Sequence, residues 1–328
     1  MINWYPGHMA KAKRNIRNDL KLVDLIIEVV DARCPESSRN PDIDSFARDK
    51  CRILLLNKAD LADPERTKAF AEYYRKRGFG TLEIDARNRA SLKKLNGLID
   101  ASCRPLIERN RRKGIQTPVI RAMVLGIPNV GKSTFINSYI GRAMARTGNR
   151  PGVTRGNQWL KVNQRLELLD TPGITWPKFE REIVGLNLGL IGSINDEILN
   201  MDDLVFYLIK YLVRYYPNAL PERYGAELRG LSEALPVYDG IARRRGCLKK
   251  GGDTDYSRTA RIILDDFRAG RLGRISLEHP RHEEEGTEPL PEENAVEAVE
   301  LLPAENAAEA AELLPEKNTA ERTEDERA

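Results

Sequence analysis

Gly126, Gly131, Lys132 and Ser133 stand at the spacing G-x-x-x-x-G-K-[ST] in "GIPNVGKST", between the apolar run "VIRAMVLG" and the helical pattern "STFINSYIG". That spacing suits a loop wrapped around a polyphosphate. Backbone N–H groups from Asn129, Val130, Gly131 and Thr134 turn toward the phosphates, the Lys132 ammonium bridges β and γ oxygens, and the Ser133 hydroxyl holds magnesium. Downstream, "DTPG" closes the run "RLELLD" and supplies Asp170 for magnesium and the Gly173 N–H for a γ-phosphate. Four such residues also make a plain turn; their place after the phosphate loop favours the phosphate reading. Between the two lies "RPGVTRG", whose Thr154 is expected to close onto magnesium when the γ-phosphate is present. An incidental loop threonine is the plain alternative.

A second group lies well upstream. "CRILLLNKADL" is an apolar run ending in Asn-Lys-x-Asp. The Asp60 carboxylate can accept from N1–H and the 2-amino group of guanine, which adenine does not offer. Asn57 is expected on the base's other edge and the Lys58 stem along the ring; a helix cap by Asp60 is the structural alternative. "IDAR" falls where a second base-contacting loop belongs, with the Ala86 N–H aimed at the guanine oxygen and Asp85 where a serine is usual. The ligand implied is GTP with magnesium. The base readers precede the phosphate loop, so the parts are complete but cyclically shifted, which is permissible because domain termini lie close together at the surface. One mechanical consequence follows: the segment after "DTPG" leads directly into the C-terminal region.

The elements that must position these groups are legible as apolar runs, "LVDLIIEVVD", "RILLLNKAD", "GTLEIDAR", "VIRAMVLG" and "RLELLDTPG", with amphipathic segments such as "DPERTKAFAEYYRKRG" and "SLKKLNGLIDAS" among them. Alternation of this kind predicts a parallel α/β sheet covered on both faces, with ligands at the carboxyl ends of the strands. Beyond residue 178 the pattern is helical: "DDLVFYLIKYLVRYYP" has apolar pairs every four residues, and "YSRTARIILDDFRAGRLGRI" turns Ile263, Leu264 and Phe267 inward. Its Arg258, Arg261, Arg268, Arg271 and Arg274 are expected outside. The reading is a G domain with a basic N-terminal segment over 1–177, a helical domain over 178–280 and an acidic low-complexity tail over 281–328. That tail repeats with period twelve, "LPEENAVEAVEL" and onward, and is too poor in apolar residues for a core.

Net charge of +4 hides an asymmetry: residues 283–328 carry 16 acidic and 3 basic side chains, which leaves 1–282 at +17. A body so basic seeks a polyanion. Four scattered cysteines give neither a disulfide framework nor a zinc set. No run of eighteen apolar residues and no signal-peptide core is present, so a soluble, cytoplasmic, monomeric protein without membrane contact is expected.

"WYPGHMAKAKR", "EVVDARCP", "NKADL", "GIPNVGKST", "RPGVTRGNQWL" and "DTPGITWPKF" together resemble the circularly permuted GTPases, and within them the ribosome biogenesis GTPase A family, over about residues 3–278. The resemblance implies a circularly permuted P-loop GTPase domain followed by a small all-helical RNA-binding domain. It implies GTP hydrolysis, stimulated by ribosomal particles and coupled to binding and release of a maturing large ribosomal subunit, with rRNA as the main contact. It also implies water positioning by His8, since Ile174 stands where a water-orienting glutamine is usual, and a potassium ion at Asn129. Lys11, Lys13, Arg14 and Arg17, with the arginines of the helical domain, are the expected rRNA contacts. Permuted relatives that act on the small subunit carry a zinc module or an OB-fold, and tRNA-modifying GTPases a further catalytic module; none is visible here. A GTP-gated placeholder that does not depend on hydrolysis is the alternative function. The acidic repeat lies outside the resemblance.

Overall fold

The computed structural model describes residues 18–47, 49–116, 118–141, 158–171, 181–196 and 199–280. Six strands, β1 (Leu25–Asp31), β2 (Cys51–Asn57), β3 (Gly80–Glu83), β4 (Ile120–Leu125), β5 (Gln158–Lys161) and β6 (Leu166–Asp170), form one sheet in the order β3-β2-β1-β4-β6-β5. All neighbours are parallel except β5 with β6. Every residue of β1 is buried, as a strand covered on both faces requires. The antiparallel β5 is absent from the sequence reading. It is short and lies on the sheet edge, and only Leu160 of its described side chains is buried, so no apolar run marks it.

Helices α1 (Asp42–Phe46), α2 (Pro64–Lys76), α3 (Leu95–Ser102), α4 (Arg104–Arg112) and α5 (Lys132–Ile140) connect the strands. The start of α2 is set by Asp63, whose carboxylate accepts from the Glu65 and Arg66 N–H groups at 2.9 and 3.2 Å, with Pro64 in the first turn. The basic α4 escaped the sequence reading because it buries only Ile107. Cys34, Cys51, Cys103 and Cys247 are all free thiols.

The remaining helices are α6 (Glu182–Leu190), α7 (Met201–Tyr215), α8 (Ala219–Tyr224), α9 (Ala234–Arg245) and α10 (Tyr256–Arg268). Asn200 caps α7 by accepting from Asp202 and Asp203 N–H. The expected four-residue spacing places Leu204, Val205, Leu208, Ile209 and Leu212 in the core. Ile263, Leu264 and Phe267 of α10 are buried as read from the pattern. One apolar cluster runs without a break from Leu25 and Val29 of the sheet through Leu188 of α6 to Val205 and Phe267. No described helix is long and apolar enough to cross a membrane.

Of the arginines expected outside, Arg258, Arg261, Arg271 and Arg274 are exposed and Arg268 is half-buried, but three of them are engaged with the protein itself. Arg268 is engaged with Asp196, at 2.7 and 2.6 Å, and with the Gly189 and Leu190 carbonyls. Arg271 pairs with buried Asp266, and Arg274 donates to the Ala62 and Ala59 carbonyls at 2.9 and 2.8 Å. Buried carbonyls and carboxylates need donors, and these side chains supply them. Arg258 and Arg261 remain exposed and make no ion pair with a described residue.

After α10 the chain runs back over the sheet's carboxyl end. Ile275 N–H donates to Leu61 O at 3.0 Å and Leu277 N–H to Arg33 O at 2.7 Å. Glu278 is buried; its carboxylate accepts from the Glu36 and Ser37 N–H groups, the Ser37 hydroxyl and the Asn187 amide. Burial pushes its pKa up to about 7, opposed by the Ser37 hydrogen bond and reinforced by Glu36. An acid whose folded pKa exceeds its unfolded value stabilises the fold fully below the unfolded value and loses that contribution as pH rises toward the folded one. The cost of holding this anion at pH 8 is on the order of 3 kcal/mol. Glu278→Gln removes that titration and is therefore expected to flatten the dependence of the thermal midpoint on pH between 5 and 7. Parallel pH profiles for the two proteins would show that Glu278 does not titrate there.

Candidate nucleotide-binding site

Strand β1 lies between β2, which leads into "NKAD", and β4, which leads into the phosphate loop. Asp31 and Asn57 are register partners at the strand ends. The two loops therefore meet over the carboxyl end of β1 although the first precedes the second in the chain. The Asn57 amide nitrogen donates to Val130 O at 2.7 Å, and the Lys58 ammonium donates to Asn129 O at 2.8 Å. Lys58 and Asn129 have φ of 59° and 61°, and no other described non-glycine residue has positive φ. Strained backbone of this kind persists where surrounding contacts over-determine it, commonly at binding sites.

Behind Lys58 stands Asp31, wholly buried, 2.9 Å from the ammonium and 2.8 Å from the Arg33 guanidinium. Burial alone would raise the Asp31 pKa, but Arg33 and Lys58 hold it well below the usual carboxylate range. It stays an anion and fixes Lys58. Arg33 also donates to Phe267 O and lies over the Phe267 ring of α10, which ties the base-reading loop to the helices.

Two groups expected at the base are engaged elsewhere. The Ala86 N–H donates to Asn57 Oδ1 at 2.9 Å, so it is not aimed at a guanine oxygen. Asn57 uses its other end on Val130, so its amide spaces three loops instead of reading a base edge. Both groups are buried, and a buried amide must be paired. Asp60 is partly exposed and takes the Arg87 guanidinium at 2.5 Å; Arg87 also donates to Asp85 Oδ1 at 3.1 Å.

The phosphate loop is closed by contacts only glycine allows. A Cβ on Gly126 would stand 2.5 Å from Val29 O, and one on Gly131, at φ 97°, would strike the Asn57 amide. Lys132, Ser133 and Thr134 form the first turn of α5, where unpaired N–H groups and the helix dipole favour anions. Lys132 is 8% exposed, and its ammonium donates to Ile127 O at 3.3 Å. Burial pushes its pKa down to about 8, with Asp170 pulling upward. Asp170 ends β6 in register with Val124, is 3% exposed, and its Oδ1 has no hydrogen-bond partner among the described residues. A carboxylate oxygen left bare beside an anion-binding turn fits a magnesium ion held jointly with Ser133.

Two contacts had no local sequence signal. Asn129 Nδ2 donates to Gly192 O at 2.5 Å, and Ser193 Oγ donates to Pro128 O at 2.7 Å. They join the phosphate loop to the turn after α6. His8, Thr154, Gly173 and Ile174 lie outside the described residues.

The model of the 50S ribosome-binding GTPase family matches residues 121–226. Ribosome biogenesis GTPase A of Priestia megaterium is 46% identical over 286 residues, covering 87% of this chain and 99% of that protein. The Thermotoga maritima protein of the same name is 34% identical over 85% of this chain and 95% of its own length. Among solved structures, GNP-bound YlqF from T. maritima aligns with a TM-score of 0.61 at 29% identity, covering 83% of this chain and 99% of that one. Its GDP-bound structure gives 0.60 over 81% and 99%. With the loop of residues 57–60 and the phosphate loop joined in permuted order, and relatives matched nearly end to end, the chain belongs to the ribosome biogenesis GTPase A family of GTP hydrolases.

Proposed function

We propose that this GTPase acts in the cytoplasm, as a monomer, in late assembly of the large ribosomal subunit, binding rRNA of the maturing particle and leaving it on hydrolysis. The observation that carries the GTP chemistry is the pair of hydrogen bonds from Asn57 and Lys58 to the phosphate loop. The relatives' names supply ribosome biogenesis, and the +17 charge of residues 1–282 supports an RNA partner.

In this reading Asp60 selects guanine, with Asp85 and Ala86 beside it, and the phosphates lie along residues 129–134. Lys132 bridges β and γ oxygens. Ser133, Asp170 and Thr154 would hold magnesium, Thr154 closing onto it when the γ-phosphate is present, and the Gly173 N–H would meet the γ-phosphate. Magnesium, when bound, neutralises charge that develops on the transferring group. His8 orients the attacking water, and Asn129 would hold a potassium ion, which would supply positive charge where an arginine finger is lacking. Besides Lys11, Lys13, Arg14 and Arg17, the RNA surface comprises Arg258 and Arg261 of α10. It extends to Arg243 and Arg244, which are among the helical-domain arginines already expected there, and to Lys249 and Lys250, which the sequence pattern does not single out; all four are exposed and without an ion pair among the described residues.

Gradient sedimentation of extract with a non-hydrolysable GTP analogue tests the reading. The protein is expected in the large-subunit precursor fraction, and R258E/R261E at the top of the gradient. Migration with small-subunit particles would overturn it. With purified precursors, stimulated turnover is expected to vanish in His8→Ala and to fall when sodium replaces potassium. Release on nucleotide exchange without cleavage would favour the placeholder.

A further inference from the structure

The base-reading loop is not self-supporting. Ala59 N–H donates to Ile84 O and Leu61 N–H to Lys58 O, while the carbonyls of residues 59, 61 and 62 accept from outside the loop. All of these carbonyls are taken by the segment that follows α10: Arg274 donates from Nη2 to Ala59 O at 2.8 Å and from Nε to Ala62 O at 2.9 Å, and Ile275 N–H donates to Leu61 O at 3.0 Å. Beside them, Asp63 N–H donates to Ser276 Oγ at 3.1 Å. The Leu61 side chain lies against Gly270, where a Cβ would come within 2.6 Å of Leu61 Cδ2. Asp60 is thus suspended between two carbonyl-bearing neighbours, Ala59 and Leu61, that are both held from the helical side.

We propose that Arg274 is a positioning residue for guanine recognition, acting through the Ala59 and Ala62 carbonyls on Asp60, and that base occupancy is linked to docking of residues 274–278. The inference rests on the guanine reading of Asp60. It follows from three facts together. The guanidinium forms a two-point clamp whose planar fork fixes the separation of the carbonyls flanking Asp60 and Leu61. The contact is between segments more than two hundred residues apart, so it is a tertiary constraint on the loop. Arg274 is itself exposed, so its side chain fills no cavity that would explain its placement. Linkage is reciprocal: whatever docking of 274–278 contributes to guanine affinity, guanine contributes to docking. A ribosomal surface that pulls on the helices would then loosen the base, and with it GDP and GTP alike.

The test compares GDP and ATP binding by wild type, R274A and R274K, with amide exchange across residues 274–278. Wild type is expected to prefer GDP strongly. R274A is expected to weaken GDP about tenfold and to leave ATP, held through the phosphate loop, within about twofold. R274K, which keeps the charge and its donors on one nitrogen but loses the planar fork, falls between. A general loss of folding would lower both nucleotides together and would not be rescued by lysine. In wild type, saturating GDP is expected to slow exchange at Ile275 and Leu277. GDP affinity of R274A within twofold of wild type, or exchange at 274–278 indifferent to GDP in wild type, overturns the proposal. Equal binding of GDP and ATP by wild type would overturn the guanine reading itself.

Discussion

Asp60→Asn is expected to exchange guanine for xanthine as the preferred base. The carboxylate accepts two hydrogens from guanine, and each hydrogen bond to a charged group contributes about 1.5–3 kcal/mol. An amide keeps one acceptor and turns an N–H₂ toward the position of the 2-amino group, where xanthine carries an oxygen. The GTP:XTP affinity ratio should therefore change by at least about 1000-fold, as when a buried polar site is offered the wrong partner. The substitution also breaks the Arg87 pair, but that guanidinium is 67% exposed and such pairs are worth little. Displacement of a fluorescent GDP by XDP and GDP measures the ratio. A variant that loses both nucleotides equally would mean that Asp60 supports the loop and does not read the base.

Lys132→Ala is expected to lower single-turnover GTP hydrolysis by about 100- to 1000-fold, the effect of removing one preorganised donor to developing charge. The fold should survive. Burial of the ammonium opposes its attraction to Asp170 and its one long contact to Ile127 O, so the thermal midpoint is expected to change little. The depressed pKa of about 8 sets a second expectation. Above that pH the free protein presents a neutral amine, and phosphate binding must then take up a proton. Wild-type triphosphate affinity should fall as pH rises from 8 to 10, and the alanine variant should lack that dependence. Hydrolysis within tenfold of wild type would remove Lys132 from its bridging role.

What the sequence could tell about this site depended on the range of the interaction. The phosphate loop and Asn57, Lys58 and Asp60 are legible because each motif sits at the end of an apolar strand, and strand ends in a parallel sheet converge. The partners inside the site are not. Nothing in "NKAD" announces that Asn57 will span Ala86 and Val130, because amides are satisfied by whatever tertiary neighbour arrives. The arginines of α10 show the same limit: periodicity identifies the apolar face, yet Arg268 and Arg274 find carbonyls and a carboxylate supplied by distant loops. The edge strand β5 was invisible for a different reason, having too little buried surface to write a pattern.

The central place of β1 bears on how the molecule is made. Synthesis delivers β1, β2 and β3 first, a three-stranded half-sheet whose inner border, the row of backbone N–H and C=O groups along β1, has no neighbour until residues 120–125 emerge. At ordinary elongation rates the interval between the end of β3 and the end of β4 lasts roughly 2–8 s. For that time the nascent chain carries an open, sticky margin in the middle of its future core, and the late arrival of β4 both seals it and delivers the phosphate cradle to a waiting base reader.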